Sequence, residues 1–350
     1  MLRFLVAVLA CVASVYGSET EQSVRKSVPV SSATRLKLNA DFGSINVQPS
    51  AGRSVDVEVH FRGDPPSRRD FDRMLQDFSL QLIQQGSEVT VTAAFTHGWE
   101  PLLSYVISDG LFNSRHPICH NWRCLVYSGW LDEIEFRVSV PRTFDTNLAT
   151  SGGSITVILL KGEVAAHTSG GWLKFDRTEG AVNASTSGGG ITVMGTTGKA
   201  VVRTSGGPIR ISETSGDVDA YTSGGPILID TVSGHVKAHT SGGGIDAREI
   251  SGALDVSTSG GWVNASLVAQ PKQDCSFSTS GGGISVTLPR DVHVNLDAST
   301  TGGWVSTEFS VPYSGERRQS ELRAPINGGG PLLYIHTSGG WINVKRAGGI

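Results

Sequence analysis

The tetrapeptide Thr-Ser-Gly-Gly recurs at a fixed interval, and this recurrence restricts the fold more than any other feature of the chain. Related copies follow the regular array at Thr279, at Thr300 as Thr-Thr-Gly-Gly, and at Thr337. A fixed period of this length is typical of stacked repeats, in which each unit buries its apolar side against its neighbours. The regular array begins at seven threonines spaced 18 residues apart: Thr150, Thr168, Thr186, Thr204, Thr222, Thr240 and Thr258.

Within one period, apolar residues alternate with polar ones on both sides of the glycine pair. In residues 180–193, Val182 and Ala184 precede the pair, and Ile191 and Val193 follow it. Side chains on a strand change face at each residue, so each run predicts a short strand with one buried face. The glycines lie at the corners, where positive φ costs glycine little. The pattern predicts an all-β, single-stranded parallel β-solenoid, right-handed by the general preference of parallel crossovers, with 18 residues per turn.

The repeated threonine has the same parity along its strand as the buried valine and alanine. We therefore expect its methyl group to point into the corner. A buried hydroxyl needs a partner, so we expect a hydrogen bond to the next threonine or to a corner carbonyl. This interpretation makes the motif structural rather than a binding surface.

The first 17 residues have the pattern of a secretory signal peptide. Arg3 precedes an apolar run from Phe4 to Val15, and small residues follow. The run is too short to span a membrane, and no other stretch of the chain has that length and character. The sequence therefore predicts an exported protein, located in the periplasm, at the cell surface or outside the cell. Lipid attachment at Cys11 is a minor alternative.

The rest of the chain divides into a diverged part and a regular part. A short helix is expected after Ser67, with Phe71 and Met74 on its apolar face, as a cap over the open end of the stack. The predicted organisation is N-terminal strands, this helix and a Cys-containing insertion over residues 31–140, then the regular array over 141–350 with a loop insertion at 312–330.

Several segments together resemble the bacterial putative-adhesin family. They are a strand ending in Val140-Pro141, the serial Thr-Ser-Gly-Gly-x-Ile-x-Val turns, and the late segment Ser280–Gly303. The resemblance covers about residues 35–344. It implies an exported β-solenoid with a structural or adhesive role, and it assigns no binding residue to the Cys-containing segment or the 312–330 loop.

Charge and cysteine spacing limit the other classes of function. The chain has 29 basic and 32 acidic residues and no basic cluster, so no nucleic-acid partner is expected. Cys119 and Cys124 predict a local disulfide in an exported protein; a metal site with His116 and His120 is the less favoured alternative. Cys275 is expected to pack unpaired in the stack. No metal ion or other cofactor is predicted.

Catalytic residues are not assignable, because no two carboxylates and no Ser-His-Asp or Cys-His set can be placed at one site. We therefore expect a protein that is not an enzyme. A carbohydrate-active enzyme, a hydrolase or lyase built on a β-helix scaffold, is the alternative.

Tryptophan follows the glycine pair in four of the repeats, at Trp172, Trp262, Trp304 and Trp341. If these side chains point outward, each indole has room to lie across a small residue of an adjacent turn. One interpretation is that the rings shield exposed backbone beside strand glycines. The other is a row of aromatic platforms that binds a glycan or a cell-surface protein. Trp262 and Trp304 are expected two turns apart, about 10 Å.

Overall fold

The computed structural model describes residues 11–15, 20–30, 34–65, 67–95, 131–311 and 320–348. Their regular structure consists of strands and one helix, which confirms the all-β prediction. The chain divides into two compact units, residues 1–172 and 173–350. The predicted disulfide cysteines and most of the predicted signal peptide lie outside the described residues, so both assignments stay predictions.

The first unit contains two mixed sheets. In one, the strand order is β1-β2-β5-β8-β4-β10, and in the other it is β11-β9-β3-β7-β6. The pairs β4–β8, β4–β10, β3–β7, β3–β9 and β9–β11 are parallel. The elements are β1 (Cys11–Val15), β2 (Thr20–Pro29), β3 (Arg35–Ala40), β4 (Ser44–Ser50), β5 (Ser54–Gly63), α1 (Arg68–Asp77), β6 (Phe78–Gln85), β7 (Glu88–Phe95), β8 (Leu131–Pro141), β9 (Asp145–Thr150), β10 (Ile155–Ile158) and β11 (Val164–Thr168).

The predicted helix is confirmed as α1. Its N-cap is Ser67, whose hydroxyl accepts a hydrogen bond from the Asp70 N–H at 3.2 Å. Phe71 and Met74 are fully buried, so the apolar face of the helix packs into the unit. The helix ends before Phe78, which begins β6.

The second unit is built almost entirely of parallel strands in two sheets. Their orders are β12-β14-β16-β18-β20-β22-β24-β29-β26 and β27-β25-β28-β23-β21-β19-β17-β15-β13. The strands are β12 (Leu173–Asp176), β13 (Val182–Thr186), β14 (Ile191–Met194), β15 (Ala200–Thr204), β16 (Ile209–Thr214), β17 (Val218–Thr222), β18 (Ile227–Val232), β19 (Val236–Thr240), β20 (Ile245–Ile250), β21 (Leu254–Thr258), β22 (Val263–Leu267), β23 (Cys275–Thr279), β24 (Ile284–Leu288), β25 (Val294–Thr300), β26 (Val305–Thr307), β27 (Glu321–Ile326), β28 (Leu332–Thr337) and β29 (Ile342–Arg346).

Strands pair in register at the repeat interval. Ile209 lies opposite Ile227, and Val218 lies opposite Val236, each 18 residues apart. Each period therefore adds one strand to each of two sheets, and the prediction of a single-stranded array is wrong in this respect. The reason is that every period contains two corners, one at the glycine pair and one about half a period later, and each corner redirects the chain. The predicted inward residues of both sheets are buried.

The glycine pairs allow a close approach of backbone to backbone. A Cβ atom on Gly207 would overlap the carbonyl oxygen of Gly189, and one on Gly225 would overlap that of Gly207. Neither glycine of these pairs has positive φ, contrary to the sequence expectation. The second glycine of each pair is required because the stacked corners leave no room there for a side chain.

In most repeats the threonine bonds to two corner glycines. The Thr222 hydroxyl donates to the Gly207 carbonyl of the preceding turn at 3.0 Å and accepts from the Gly225 N–H of its own turn at 3.3 Å. Thr204, Thr240 and Thr258 repeat the arrangement. The predicted inward parity and the corner-carbonyl partner are both confirmed.

The last parallel turn lies between two earlier ones. Strand β28 pairs with β23 on one side and β25 on the other, and β29 lies between β24 and β26. Strand β27 runs antiparallel to β25 at the edge, so the chain reverses there and returns inward. The order of turns in space therefore differs from their order in the sequence.

We expect Gly225→Ala to reduce the free energy of unfolding by about 2–4 kcal/mol, because the new methyl group collides with backbone that has no free space. Gly224→Ala is the matched control, since its Cβ would be 3.4 Å from the Gly206 oxygen, an ordinary contact. Urea denaturation measures both variants. Equal loss in the two would show that close stacking is not the reason for the second glycine.

Thr222→Val should cost about 1–3 kcal/mol, because it keeps the shape of the side chain and leaves a buried carbonyl and a buried N–H without their partner. Thr222→Ser, which keeps the hydroxyl, should recover part of that loss. The same denaturation experiment measures both. A valine variant as stable as the parent would contradict the bridging role of the hydroxyl.

Candidate binding face

Residues that follow the glycine pairs form a continuous row along one sheet of the second unit. Backbone hydrogen bonds join neighbouring strands at this row. The N–H groups of Ile245, Ile284 and Ile342 donate to the backbone carbonyls of Trp262, Trp341 and Trp304, in that order, each at 2.8 Å. The Val263 N–H donates to Gly283 at 3.0 Å. We call this the corner row, and its order in space is Gly244, Trp262, Gly283, Trp341 and Trp304.

This order corrects the predicted spacing of the tryptophans. Trp262 and Trp304 are three strands apart, about 14 Å, rather than two. The cause is the inward return of the chain, which places Trp341 next to Trp304 and one strand beyond Gly283. Trp262 and Trp341 are the pair that is two strands apart, about 10 Å.

Two of the indoles adopt the same pose, each lying over the corner-row glycine of an adjacent strand. A Cβ on Gly244 would be 2.7 Å from Cε2 and 2.9 Å from Nε1 of Trp262. A Cβ on Gly283 would be 2.7 Å from Cε2 and 3.0 Å from Nε1 of Trp341. The prediction that the rings lie across adjacent glycines is confirmed for these two residues.

The indoles remain open to solvent on this face. Trp262 is 51% exposed, Trp341 is 40% exposed and Trp304 is 54% exposed. Packing one face of a ring on glycine backbone fixes its position while the other face stays available. Fixed, exposed aromatic surface is a common element of binding sites.

Trp172 belongs to the first unit and is not part of this row. It follows Gly170 and Gly171 and is 51% exposed. Its backbone N–H donates to the hydroxyl of Ser154, which takes the place of a glycine at the corner of the preceding turn, at 3.2 Å. The structure thus brings together three of the four predicted tryptophans within one unit.

A second row runs beside the first, two residues further along each strand. Strand pairing joins Asp246 to Asn264, Asn264 to Ser285, Ser285 to Asn343, and Asn343 to Ser306. These side chains point to the same outer side of the sheet as the corner row, because residues two apart on a strand share a face. We call them the polar row.

Hydrogen bonds already occupy the charged end of the polar row. Asp246 Oδ1 accepts from Arg248 Nε and from Asn264 Nδ2, both at 3.0 Å, and Asp246 Oδ2 accepts from Arg248 Nη2. The pKa of the Arg248 guanidinium is raised, mainly by its hydrogen bonds to Asp246 and secondly by the negative charge of that carboxylate. The carboxylate is therefore paired within the protein and is not the open group of this face.

Ser285 is the unusual member of the polar row. It is 7% exposed although it points outward, and its buried Oγ has no hydrogen-bond partner among the described residues. The sequence prediction missed Ser285, Asn264 and Asn343. Their signal was available in the spacing, since each is the second residue after a tryptophan or glycine of the corner row.

The remaining candidates are placed as follows. Within the described ranges, no group of three or more His, Cys, Asp or Glu side chains is positioned to hold a metal ion. Cys119 and Cys124 lie outside those ranges. Cys275 is buried and free, which confirms the sequence prediction. No helix of the described residues is long and apolar enough to cross a membrane.

Comparison with known proteins gives remote structural similarities. No protein-family model and no curated protein sequence matches the chain. A "putative cell adhesion protein" from Clostridium sporogenes is similar at 10% identity and TM-score 0.23, covering 94% of this chain and 100% of its own. A "putative adhesin" from Parabacteroides distasonis is similar at 10% identity and TM-score 0.33. A "putative lipid binding protein" from the same organism is similar at 11% identity and TM-score 0.32, and each of these two covers 93% of this chain and 97% of its own.

We expect Cys275 to resist thiol-modifying reagents in the folded protein. Burial raises the pKa of the Cys275 thiol, so less of the reactive thiolate is present at a given pH, and the side chain is 1% exposed. Maleimide labelling followed by peptide mapping should detect this cysteine only as the chain unfolds in urea. Equal labelling rates in the native and unfolded chain would contradict the buried position.

Proposed function

We propose that the protein is an exported, non-enzymatic module of the cell envelope that binds an extended ligand through the corner row. Its fold in this proposal is a right-handed solenoid of two parallel sheets, supported by in-register pairing at the repeat interval. Export is supported by the signal-like pattern of residues 1–17.

The observation that carries the proposal is the matched pose of Trp262 and Trp341. Two indoles rest on glycine backbone in the same orientation and are separated by two strands, about 10 Å. Shielding of backbone accounts for a single ring on a glycine. A pair in the same pose also forms two flat platforms with a fixed separation, which suits a ligand that repeats at that distance.

The scaffold holds these platforms rigidly. Each tryptophan follows a glycine pair whose position is set by close stacking and by a threonine bridge, Thr258 before Trp262 and Thr337 before Trp341. The ligand therefore meets a preorganised surface and does not have to order it, which lowers the cost of association.

Adsorption of the full-length chain to insoluble carriers tests the proposal. Cellulose, chitin and isolated cell envelopes serve as carriers, and depletion of the protein from solution is measured. We expect adsorption to at least one carrier, and we expect the double variant Trp262→Ala/Trp341→Ala to reduce it at least tenfold, because stacked aromatic anchors dominate such surfaces.

Two further variants sharpen this test. Gly283→Ala keeps both tryptophans but displaces the Trp341 ring, because its Cβ would meet the indole at 2.7 Å; it should weaken adsorption while the chain stays folded. Tyr334→Ala is the matched control: Tyr334 is an exposed aromatic residue on β28, in the same turn but the other sheet, and its loss should change nothing. Equal adsorption by the double variant and the parent chain would refute the proposal.

A further inference from the structure

Strand β6 is the end strand of its sheet and carries none of the features that usually protect such an edge. Natural proteins block the unpaired backbone of an end strand with charged residues, with proline, or by keeping the strand very short. Among the described residues, β6 pairs with β7 on one side only. Its eight residues include no charged residue and no proline. An exposed edge of this kind is a template for pairing with another strand.

The other end strands of the described part of the chain have these protective features. In the second unit, β26 is three residues long, and β27 carries Arg323 and Pro325. In the first unit, β1 lies within the predicted signal peptide, and the next strand, β2, carries Arg25 and Pro29. Strand β6 is the exception, which indicates that its edge has a use.

The backbone of β6 is oriented to accept a further strand. A two-residue turn joins β6 to β7, so Gln85 and Glu88 flank the turn and form a hydrogen-bonded pair. Because this direction alternates along an antiparallel strand, the N–H and C=O groups of Leu82 and Gln84 point away from β7. Neither residue has another backbone partner among the described residues.

We propose that β6 pairs with β6 of a second copy of this chain, antiparallel about a two-fold axis at Ile83. In this register, Leu82 of each copy exchanges main-chain hydrogen bonds with Gln84 of the other. Ile83 lies opposite its counterpart in a non-hydrogen-bonded pair, where opposing side chains are closest. The contact uses the same surface on both copies, so the assembly closes as a dimer with one continuous sheet.

The side chains around this axis are complementary to themselves. Ile83 is 48% exposed in the single chain, and pairing covers it with a second isoleucine. Gln81 and Gln85 share its exposed face and lie opposite each other across the axis, where each amide can donate and accept. Since the strand has no charge, two copies pair without the like-charge repulsion that protects other edges. These features favour a second copy over a charged peptide as the partner.

This inference does not depend on the proposed function, because it uses a strand of the first unit and no residue of the corner row. A dimer carries two corner rows. Their joint attachment to one carrier raises the apparent affinity wherever both can reach it.

Sedimentation velocity of the full-length chain at increasing concentration tests the dimer. We expect the parent to change from monomer to dimer, and we expect Ile83→Lys to weaken self-association about tenfold, because two like charges then lie opposite each other. Circular dichroism checks that this variant stays folded. Thr92→Lys is the matched control: it adds the same charge at an exposed position of β7, one strand in from the edge, and should dimerise like the parent.

Cross-linking tests the register. Ile83→Cys should form a disulfide-linked dimer under mild oxidation, because opposing Cα atoms of a non-hydrogen-bonded pair are about 4.5 Å apart, within the range of a disulfide. Gln81→Cys is the control, since its counterpart lies about 14 Å away along the second strand, and it should not link. The parent chain gives the background from its 4 native cysteines.

A parent chain that stays monomeric at every concentration would overturn the inference. A dimer that persists unchanged in Ile83→Lys uses another surface, and equal cross-linking of the two cysteine variants means another register; in either case the inference is wrong. None of these results changes the adsorption expected of the tryptophan variants, so the proposed function is tested separately.

Discussion

The stacking of glycine on glycine at one corner is the constraint on which the rest of the repeat array depends. Gly207 approaches the Gly189 carbonyl so closely that no side chain fits, and the Thr204 hydroxyl accepts from Gly207 while donating to that same carbonyl. A shift of one residue would place a side chain in the corner and turn every inward residue outward. Backbone crowding and one hydroxyl thus fix the register that the apolar ladders then stabilise.

The binding face depends on different glycines from those that stack. Gly244 and Gly283 each follow a close-stacked glycine pair, at a position where other turns carry serine, proline or tryptophan, and Trp262 and Trp341 cover the backbone that they leave open. The indoles therefore stabilise the array and present flat surface at the same time. The structural interpretation and the binding interpretation of the tryptophans are compatible, because each concerns a different face of the same ring.

Much of the array could be predicted from the sequence, because its rules are local and periodic. The inward parity of Thr222, the buried ladders and the outward tryptophans all follow from alternation and an 18-residue interval. Two features could not be predicted this way. The inward return of β28 and β29 depends on long-range pairing, so the predicted two-turn separation of Trp262 and Trp304 was wrong. The burial of Ser285 on the outward side of its strand depends on the packing of neighbouring side chains, which no residue pattern records.

The displaced order of the last turns has a consequence for biosynthesis. Residues 332–346 leave the ribosome after residues 294–307, yet they lie on the inner side of them. Until the later segment arrives, the earlier one has no parallel neighbour to dock against, so this region cannot be completed by simple addition of turns in the order of translation. Trp341 arrives with the late segment, so a nascent chain acquires its paired indoles only at this closing step.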